Sequence, residues 1–291
     1  MIEVLKREKK CTNEEEMIKL YNEATKDYSF WSKDLNMHFG YYIPFKTSLL
    51  KRDSMLNQMN EQLFSLLEVA NKEKHIIDLG CGIGGTMKYG INNHKKLRIT
   101  GCTIVPFQVK YGNNFINNDQ AKIENIDYKH TQFSDNKFDG AMAIESFCHS
   151  GCSKEALEEA YRVLKPNSKF VMADAFVKRD YKEMNIFSKK VHRGLSKCWS
   201  LERLGNINRV KEDMENIGFK NVKVKNIWYR VAPSVLHVPF AISGFILRKI
   251  INNEELKEES IHNMKGSFYA LLTSLCMQDF GYYIVSAEKN K

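Results

Sequence analysis

Two acidic side chains stand where chemistry could be done. Asp78 follows the β-branched pair Ile76–Ile77 and precedes glycines at 80, 82, 84 and 85. Glu145 ends the apolar run GAMAIE (140–145), and His149 follows four residues later. The stretch His75 to Thr86, HIIDLGCGIGGT, reads as a strand, a glycine turn and the start of a helix. That order is the first half of a nucleotide-binding α/β unit, in which glycines admit a ligand to the backbone because no Cβ stands in the way. Gly80, Gly82 and Gly85 satisfy G-x-G-x-x-G, the dinucleotide fingerprint. That fingerprint also asks for an acid about 20 residues on, to hold the ribose. The next strand instead ends at Thr103 without one. A carboxylate two residues ahead of the first glycine suits a cationic ligand better than a pyrophosphate.

The elements that would position these groups alternate. A helix is expected over 53–70, where Met55, Leu56, Met59, Leu63, Phe64, Leu67 and Val69 share a face. The first strand and glycine turn follow, then a helix to about Asn92, a strand over Leu97–Thr103 and a helix that opens near Pro106, where the missing N–H is tolerated. A short strand in IENID is expected to end at Asp127, with Tyr128 next, and Gly140–Glu145 is the fourth strand. Ser153 can cap the helix KEALEEAYRVLK. Pro166-Asn167 is expected to turn the chain into a fifth strand, Phe170–Ala175. Strand alternating with helix predicts a parallel sheet covered on both faces. Ligands bind such sheets beyond the carboxyl ends of the strands. Gly80, Thr103, Asp127 and Glu145 all fall at such ends, so they should converge on one crevice.

The flanks differ from this regular middle. Residues 1–15 are charged and expected to fray, and helical spacing starts at Met17. The stretch YSFWSKDLNMHFGYYIPF (28–45) is too aromatic for an ordinary linker. It is read as a lid excluding water from an apolar substrate, with Tyr28, Trp31, His38, Tyr41 and Tyr42 as its contact residues. The domain reading is therefore a helical lid over 1–52 and a main domain over 53–291, with substrate-pocket insertions at 178–278. Within the latter, Asn206–Ile217 is a helix stopped by Gly218, Val222–Tyr229 a sixth strand, and Asp279–Ala287 the last. VAPSVLHVPFAISGFILRKI (231–250) is apolar but broken by two prolines, and is read as pocket wall or packed helices before membrane surface.

Composition bounds the alternatives. The 43% hydrophobic and 11% aromatic content supports a core. No apolar run has the length of a membrane span, and MIEVLKREKK is not a signal peptide. Seven irregularly spaced cysteines argue for free thiols in a reducing compartment, so a cytoplasmic location is expected. The net charge of +9 is spread rather than gathered, which speaks against nucleic acid. Cys148, His149 and Cys152 lack a fourth ligand at sensible spacing, so no metal is expected.

Over residues 20 to 288 the chain resembles the class I S-adenosylmethionine (SAM)-dependent small-molecule methyltransferases of the tocopherol and sterol C-methyltransferase type. IIDLGCGIGG resembles their SAM loop, TGCTIVPFQ (100–108) their second-strand block, FSDNKFDGAMAIESFCHS the fourth-strand block and YRVLKPNSKFVMAD the fifth-strand motif. His38-Phe39-Gly40-Tyr41-Tyr42 resembles their N-terminal lid. The resemblance implies a Rossmann-like class I fold: a mostly parallel seven-stranded sheet with helices on both faces, an N-terminal helical lid and helical insertions in the C-terminal third. It implies SAM as cofactor and S-adenosylhomocysteine as product. Asp78, Gly80, Gly82, Gly84, Thr103, Gln108, Asp127 and Tyr128 would form the cofactor site, with Gln108 on the ribose and Asp127 and Tyr128 on the adenine.

Glu145 and His149 are then the candidate catalytic residues, on one side of a helical turn. Glu145 could stabilise a cation formed from an alkene, and His149 could take a proton from a hydroxyl or amine. The expected acceptor is small and largely apolar, with prenyl, terpenoid or sterol-type carbon ahead of the nitrogen or oxygen of an amine or phenol. A SAM-binding protein without catalysis is the non-enzyme alternative. Oligomeric state and peripheral membrane contact stay open, and stable membrane insertion is not expected.

Overall fold

The computed structural model describes residues 15, 17–22, 25, 28–201 and 203–290. Most of the segment expected to fray, 1–15, lies outside the described residues. A short helix α1 (Tyr28–Trp31) and the helix α2 (Arg52–Leu66) precede the sheet. The sheet and its helices then run β1 (Lys74–Leu79), α3 (Gly85–Asn93), β2 (Leu97–Thr103), α4 (Pro106–Ile116), β3 (Ala121–Asn125), β4 (Phe138–Ile144), α5 (Lys154–Val163) and β5 (Leu164–Val177). The remainder is α6 (Ile186–Cys198), α7 (Ile207–Ile217), β6 (Phe219–Asn226), α8 (Trp228–Val235), α9 (Val238–Ile251), α10 (Glu258–Thr273) and β7 (Phe280–Lys289).

The seven strands form one sheet in the order β3-β2-β1-β4-β5-β7-β6. Strands β1 to β5 pair parallel, and β7 inserts antiparallel between β5 and β6. This is the class I methyltransferase architecture that the resemblance implies. The strand order reverses at β1 and β4, which opens a crevice at their carboxyl ends. Alternation along each strand serves two cores. Ile77, Phe138, Phe147 and Phe170 pack with Leu157 on one face, while Ile76, Met142 and Val171 pack with Leu63 and Phe64 on the other. A third cluster, with Val191, Leu195, Leu201, Ala270 and Phe280, binds the C-terminal helices to the sheet end.

Local chemistry explains where elements begin and stop. Pro106 opens α4, and the Ser153 side chain accepts the Ala156 N–H at the start of α5. Gly218 ends α7 with φ 117, as expected from its lack of Cβ. Several boundaries differ from expectation. Helix α2 stops at Leu66 rather than 70, because Glu68 and Asn71 turn the chain at φ 54 and 57. Strand β3 ends at Asn125, so Asp127 and Tyr128 lie in the loop beyond it. The stretch around Pro166-Asn167 falls within β5, as an irregularity where the register with β4 jumps from Leu164 to Lys169. Strand β6 starts directly at Phe219 and ends at Asn226, whose side chain accepts the Trp228 N–H at 2.9 Å and so starts α8. The sixth strand therefore sits three residues earlier than the expected Val222.

Candidate active site

The glycine turn is built as a backbone device. Gly80, Gly82 and Gly84 have φ of 88, 55 and 79, values that L side chains avoid. The N–H groups of Gly80 and Cys81 both donate to the Cys102 carbonyl, at 3.0 and 2.9 Å, which locks the turn to β2. A Cβ on Gly80 would stand 2.4 Å from the Ser146 Cβ, so the turn also sits hard against the end of β4.

Asp78 points into this region and is 3% exposed. Burial pushes its pKa up to about 7. A carboxylate held in this way favours a positively charged partner, since ionisation there is otherwise resisted. This fits the ammonium end of an amino-acid-bearing cofactor such as SAM. At the end of β2, the Thr103 hydroxyl donates to Gln108 Oε1 at 2.7 Å. Gln108 is 3% exposed, and its Nε2 donates to the Thr25 hydroxyl at 3.3 Å. The N–H of Ile126 returns to the Thr103 carbonyl at 3.0 Å, which brings the loop of Asp127 and Tyr128 beside β2. Asp127 accepts the Lys129 N–H at 2.9 Å, with the Lys129 ammonium 3.4 Å away. Tyr128 donates to the Ser146 carbonyl at 3.1 Å and stacks on Phe147. Thus Asp78, Gly80, Thr103, Gln108, Asp127 and Tyr128 border one end of the sheet, as the strand topology requires.

Beyond the end of β4 lies a cavity of about 150 Å³. Its walls are largely aromatic and aliphatic, from Phe30, Trp31 and Phe39 of the N-terminal segment and from Trp199, Trp228 and Phe245 of the C-terminal helices. Glu145, His149, Asp174 and Tyr282 supply polar atoms at the sheet end, and Ser260, Asn263, Ser267 and Thr273 supply others from the α10 side. Glu145 Oε1 accepts the Phe39 N–H and the Tyr282 hydroxyl, each at 2.7 Å. Its Oε2 has no hydrogen bond among the described residues. Burial, then the neighbouring Asp174, outweighs these two donors and holds the Glu145 pKa at about 8. Asp174 is 1% exposed and raised to about 6 by burial, while its oxygens accept the N–H groups of Cys148 and Ala175 at 3.0 and 2.8 Å. Glu145 and His149 keep some surface, but that surface faces the cavity.

Glu145 and His149 meet at the cavity by a different route from the helical turn expected. Glu145 sits at φ 47, in the left-handed region, and His149 belongs to a short 3-10 helix, Phe147–Ser150. The left-handed residue ends β4 and stands in place of the helical turn expected there. His149 Nε2 lies 3.0 Å from the Tyr21 hydroxyl, and its buried Nδ1 has no partner among the described residues. Burial depresses its pKa to about 4, so the ring is neutral and a weak base near pH 7.

The lid residues divide. Trp31 lines the cavity, and its indole N–H donates to the His38 carbonyl at 3.1 Å. His38 reaches the wall but has both ring nitrogens occupied, by the Phe39 carbonyl at 2.8 Å and Asn60 Oδ1 at 3.0 Å. It works as a brace between the lid and α2 rather than as a free contact. Tyr41 is a correction: it is 5% exposed and packs in the core with Met59 and Leu63. Tyr42 is another, since it ties the lid to α8 through its N–H and the Arg230 carbonyl at 2.7 Å and does not line the cavity. Apolar stretches attract aromatic side chains to any buried surface, so the aromatic run could not say which of its members face a ligand. The side chain of Tyr28 lies outside the described residues.

Several site residues carry no signal in the sequence. Tyr282 reaches Glu145 from β7, across 137 positions of chain. Asn60 joins His38, Asn36 and Thr86 in a buried network linking lid, α2 and the glycine-turn helix. Trp199 lies against Gly266, where a Cβ would stand 2.2 Å from its ring nitrogen. Asp174 falls inside the stretch YRVLKPNSKFVMAD, but nothing in that stretch marks it as a site residue.

The profile of the methyltransferase domain matches residues 77–172. The chain is 29% identical over 214 residues to 24-methylenesterol C-methyltransferase 3 of Arabidopsis thaliana, covering 71% of this chain and 57% of that protein. It is 29% identical over 227 residues to a sterol 4-C-methyltransferase of Caenorhabditis elegans, covering 76% of this chain and 67% of the relative. The chain spans a little over half the length of the plant C-methyltransferases it matches, 57% and 56%. In three dimensions it resembles the cyclopropane synthase MmaA2 from Mycobacterium tuberculosis, with a TM-score of 0.76 at 13% identity, covering 94% of this chain and 98% of that one.

Proposed function

We propose that this chain, which carries a class I SAM-dependent methyltransferase domain of the sterol C-methyltransferase-like kind, transfers a methyl group to carbon of a small, largely apolar acceptor. A prenyl, terpenoid or sterol-type alkene is the acceptor class favoured. The observation that carries this reading is Glu145: one oxygen pinned by Phe39 and Tyr282, the other without a hydrogen bond among the described residues, in a cavity whose walls are largely aromatic and aliphatic.

SAM, when bound, offers a methyl group on a positively charged sulfur. The chain's part is placement and charge. Asp78 is suited to the ammonium end, and the Gly80–Gly84 turn, Thr103, Gln108, Asp127 and Tyr128 to the rest. When an alkene carbon gains a methyl group, the neighbouring carbon becomes positive. Ring faces attract such a charge at up to about 2 kcal/mol each when desolvated. The carboxylate of Glu145 opposes the same charge directly, and a cation in the cavity favours its ionised form. The cation is discharged by losing a proton, and Glu145 Oε2 is the acceptor on hand. His149, neutral and half paired, is better suited to hold a polar group of the acceptor than to remove its proton.

Methylation of a hydroxyl or of a protonated amine would call for a base, and the depressed pKa of His149 does not favour that role. The proposal keeps a cytoplasmic location and no nucleic-acid partner. Its test is calorimetric titration with SAM and S-adenosylhomocysteine, followed by a labelled-methyl screen. Prenyl alcohols, sterols, phenols, amines and RNA are offered in parallel. Label on carbon of an apolar alkene is expected. Turnover confined to charged or macromolecular acceptors, or no SAM binding, overturns the reading.

A further inference from the structure

Helix α9 is apolar on opposite faces. Val238, Ala241, Ile242 and Phe245 line the cavity. At 3.6 residues per turn, Phe240, Leu247, Ile250 and Ile251 fall on the other side, and Leu236 precedes the helix. These five are exposed: Phe240 by 77%, Leu247 by 57% and Ile251 by 73%. Trp228–Ile251 has a mean hydropathy of 1.5 in its most apolar window, of which only 17% is buried. A helix apolar all round ordinarily lies inside a protein or against lipid.

A second apolar tip lies beside it. His237 Nε2 bonds the Leu49 carbonyl at 2.7 Å, which joins the 43–51 loop to the entry of α9. That loop exposes Leu50 by 91% and leaves Phe45 fully out, at a φ of 63 that bulky residues avoid. The loop is nevertheless tightly made, with the N–H and hydroxyl of Thr47 each 3.0 Å from the Ile43 carbonyl.

Within the two stretches that carry these tips the charge has one sign, with acids only at their borders, such as Asp53 and Glu254. There is no carboxylate from Leu35 to Arg52, nor from Ile227 to Asn253. The same stretches carry Lys46, Lys51, Arg52, Arg230, Arg248 and Lys249. Arg52 is engaged with the carbonyls of Phe30 and Trp31, and Lys249 with Glu254 at 2.8 Å. Lys46, Lys51 and Arg248 are exposed around the apolar tips.

We infer that the outer face of α9 and the 43–51 loop dock the enzyme on the surface of an anionic lipid bilayer. Apolar side chains enter the acyl boundary, and Lys46, Lys51 and Arg248 meet the headgroups. A second copy of the chain fits less well, because a two-fold contact would bring together two patches that each carry Lys46, Lys51 and Arg248 and no carboxylate within the same stretches. Docking would bring one wall of the acceptor cavity to the lipid, with a single helix separating the two. This inference deepens the proposed function by naming the phase that delivers an apolar acceptor, and it rests on that reading only for this delivery. The docking itself is independent of turnover.

The test is flotation of the full chain with vesicles of phosphatidylcholine, alone or with about 30 mol% phosphatidylserine. Binding is expected to the anionic vesicles and to weaken with salt. The double variant Phe240→Ser/Leu247→Ser is expected to lower vesicle partition about tenfold or more. Lys46→Glu/Arg248→Glu should remove the preference for anionic lipid. Both should keep the melting temperature and SAM affinity of the parent. No flotation with either vesicle overturns the inference, as does equal flotation by parent and apolar variant. A concentration-dependent dimer that ignores vesicles and is dissolved by Phe240→Ser/Leu247→Ser would also overturn it, in favour of a self-interface. The acceptor screen in detergent dispersion reports on C-methylation separately, so failure of one reading is distinguishable from failure of the other.

Discussion

The first five strands and the C-terminal helices do their work by different means. In β1 to β5 the ligand-facing groups hang on backbone features: a glycine turn at positive φ, strand ends, and the left-handed Glu145. In α6 to α10 the cavity wall consists of side chains placed by packing, such as Trp199 against Gly266 and Phe245 against Phe30. Backbone features are local, so they leave marks in the sequence and tolerate little change. Packed walls can be made by many apolar combinations. The first region is thus suited to a constant cofactor and the second to a varying acceptor. Changes in the first should affect every acceptor alike, whereas changes in the second should discriminate among them.

Glu145 lies on the seam between the regions and should give the largest effect. Glu145→Gln keeps an oxygen for Phe39 and Tyr282 but loses the charge. Its kcat should fall about 10²–10³-fold with SAM affinity nearly unchanged, as for removal of a preorganised charge-stabilising group. Isothermal titration and single-turnover labelling separate the two quantities. Equal loss of both would move Glu145 into the cofactor region and blur the division.

Asp78→Asn is the counterpart within the first region. Removing one partner of a buried charge pair costs about 2–5 kcal/mol, so SAM affinity should drop at least about 30-fold. All acceptors should be slowed in the same ratio at subsaturating SAM. An acceptor-dependent change would break the comparison.

Gly266→Ala tests the second region. The added Cβ would stand 2.2 Å from the Trp199 ring nitrogen, so the indole must shift along the cavity wall. Loss or gain of a methylene's worth of fit in an apolar pocket changes discrimination by about 10–200-fold. The ratio of kcat/KM between a short and a long acceptor should therefore move by about tenfold, with SAM affinity retained. A uniform loss across acceptors would show that Trp199 supports the fold rather than the choice of acceptor.

The same division explains what could be read in advance. Strand β2 was legible to its ends, because Leu97, Ile99 and Cys102 lie between the charged Lys95-Lys96 and the helix opener Pro106. The convergence of Gly80, Thr103 and Glu145 followed from strand ends alone, and Asp127 lies two residues past the end of β3. The inward or outward aim of Tyr41 and Trp31 did not, since both are aromatic and both are buried by something. Tyr282 on Glu145 and Asn60 on His38 were not legible either, because each contact joins distant segments and neither residue type is unusual in its own element. The double apolar face of α9 was visible as composition but not as geometry: 231–250 was read as pocket wall, and half of α9 is that.

The smallest effect is thermodynamic, and it checks the buried charges without any ligand. Glu145 and Asp78 have folded-state pKa values of about 8 and 7, well above their ordinary carboxylate values. The folded chain therefore holds protons that the unfolded chain has released, and the associated stability is lost as pH rises towards the folded values. Buried His149, depressed to about 4, acts in the opposite direction, but only below the ordinary histidine value near 6.5. His38, His75 and His192, also depressed by burial, share that limit. The window from about pH 6.5 to 8.5 thus belongs mainly to the two carboxylates, Glu145 carrying the larger part. The buried thiols of Cys81 and Cys102, pushed up by burial, add to the same trend towards pH 9. Unfolding free energy from urea titration should fall across this window by about 2 kcal/mol. Glu145→Gln should flatten most of the slope. Saturating SAM should flatten the part due to Asp78, because a cation beside that carboxylate lowers its pKa. A slope unchanged by both would mean that neither carboxylate is held as a buried, unneutralised acid, and the charge-based division of the site would fail with it.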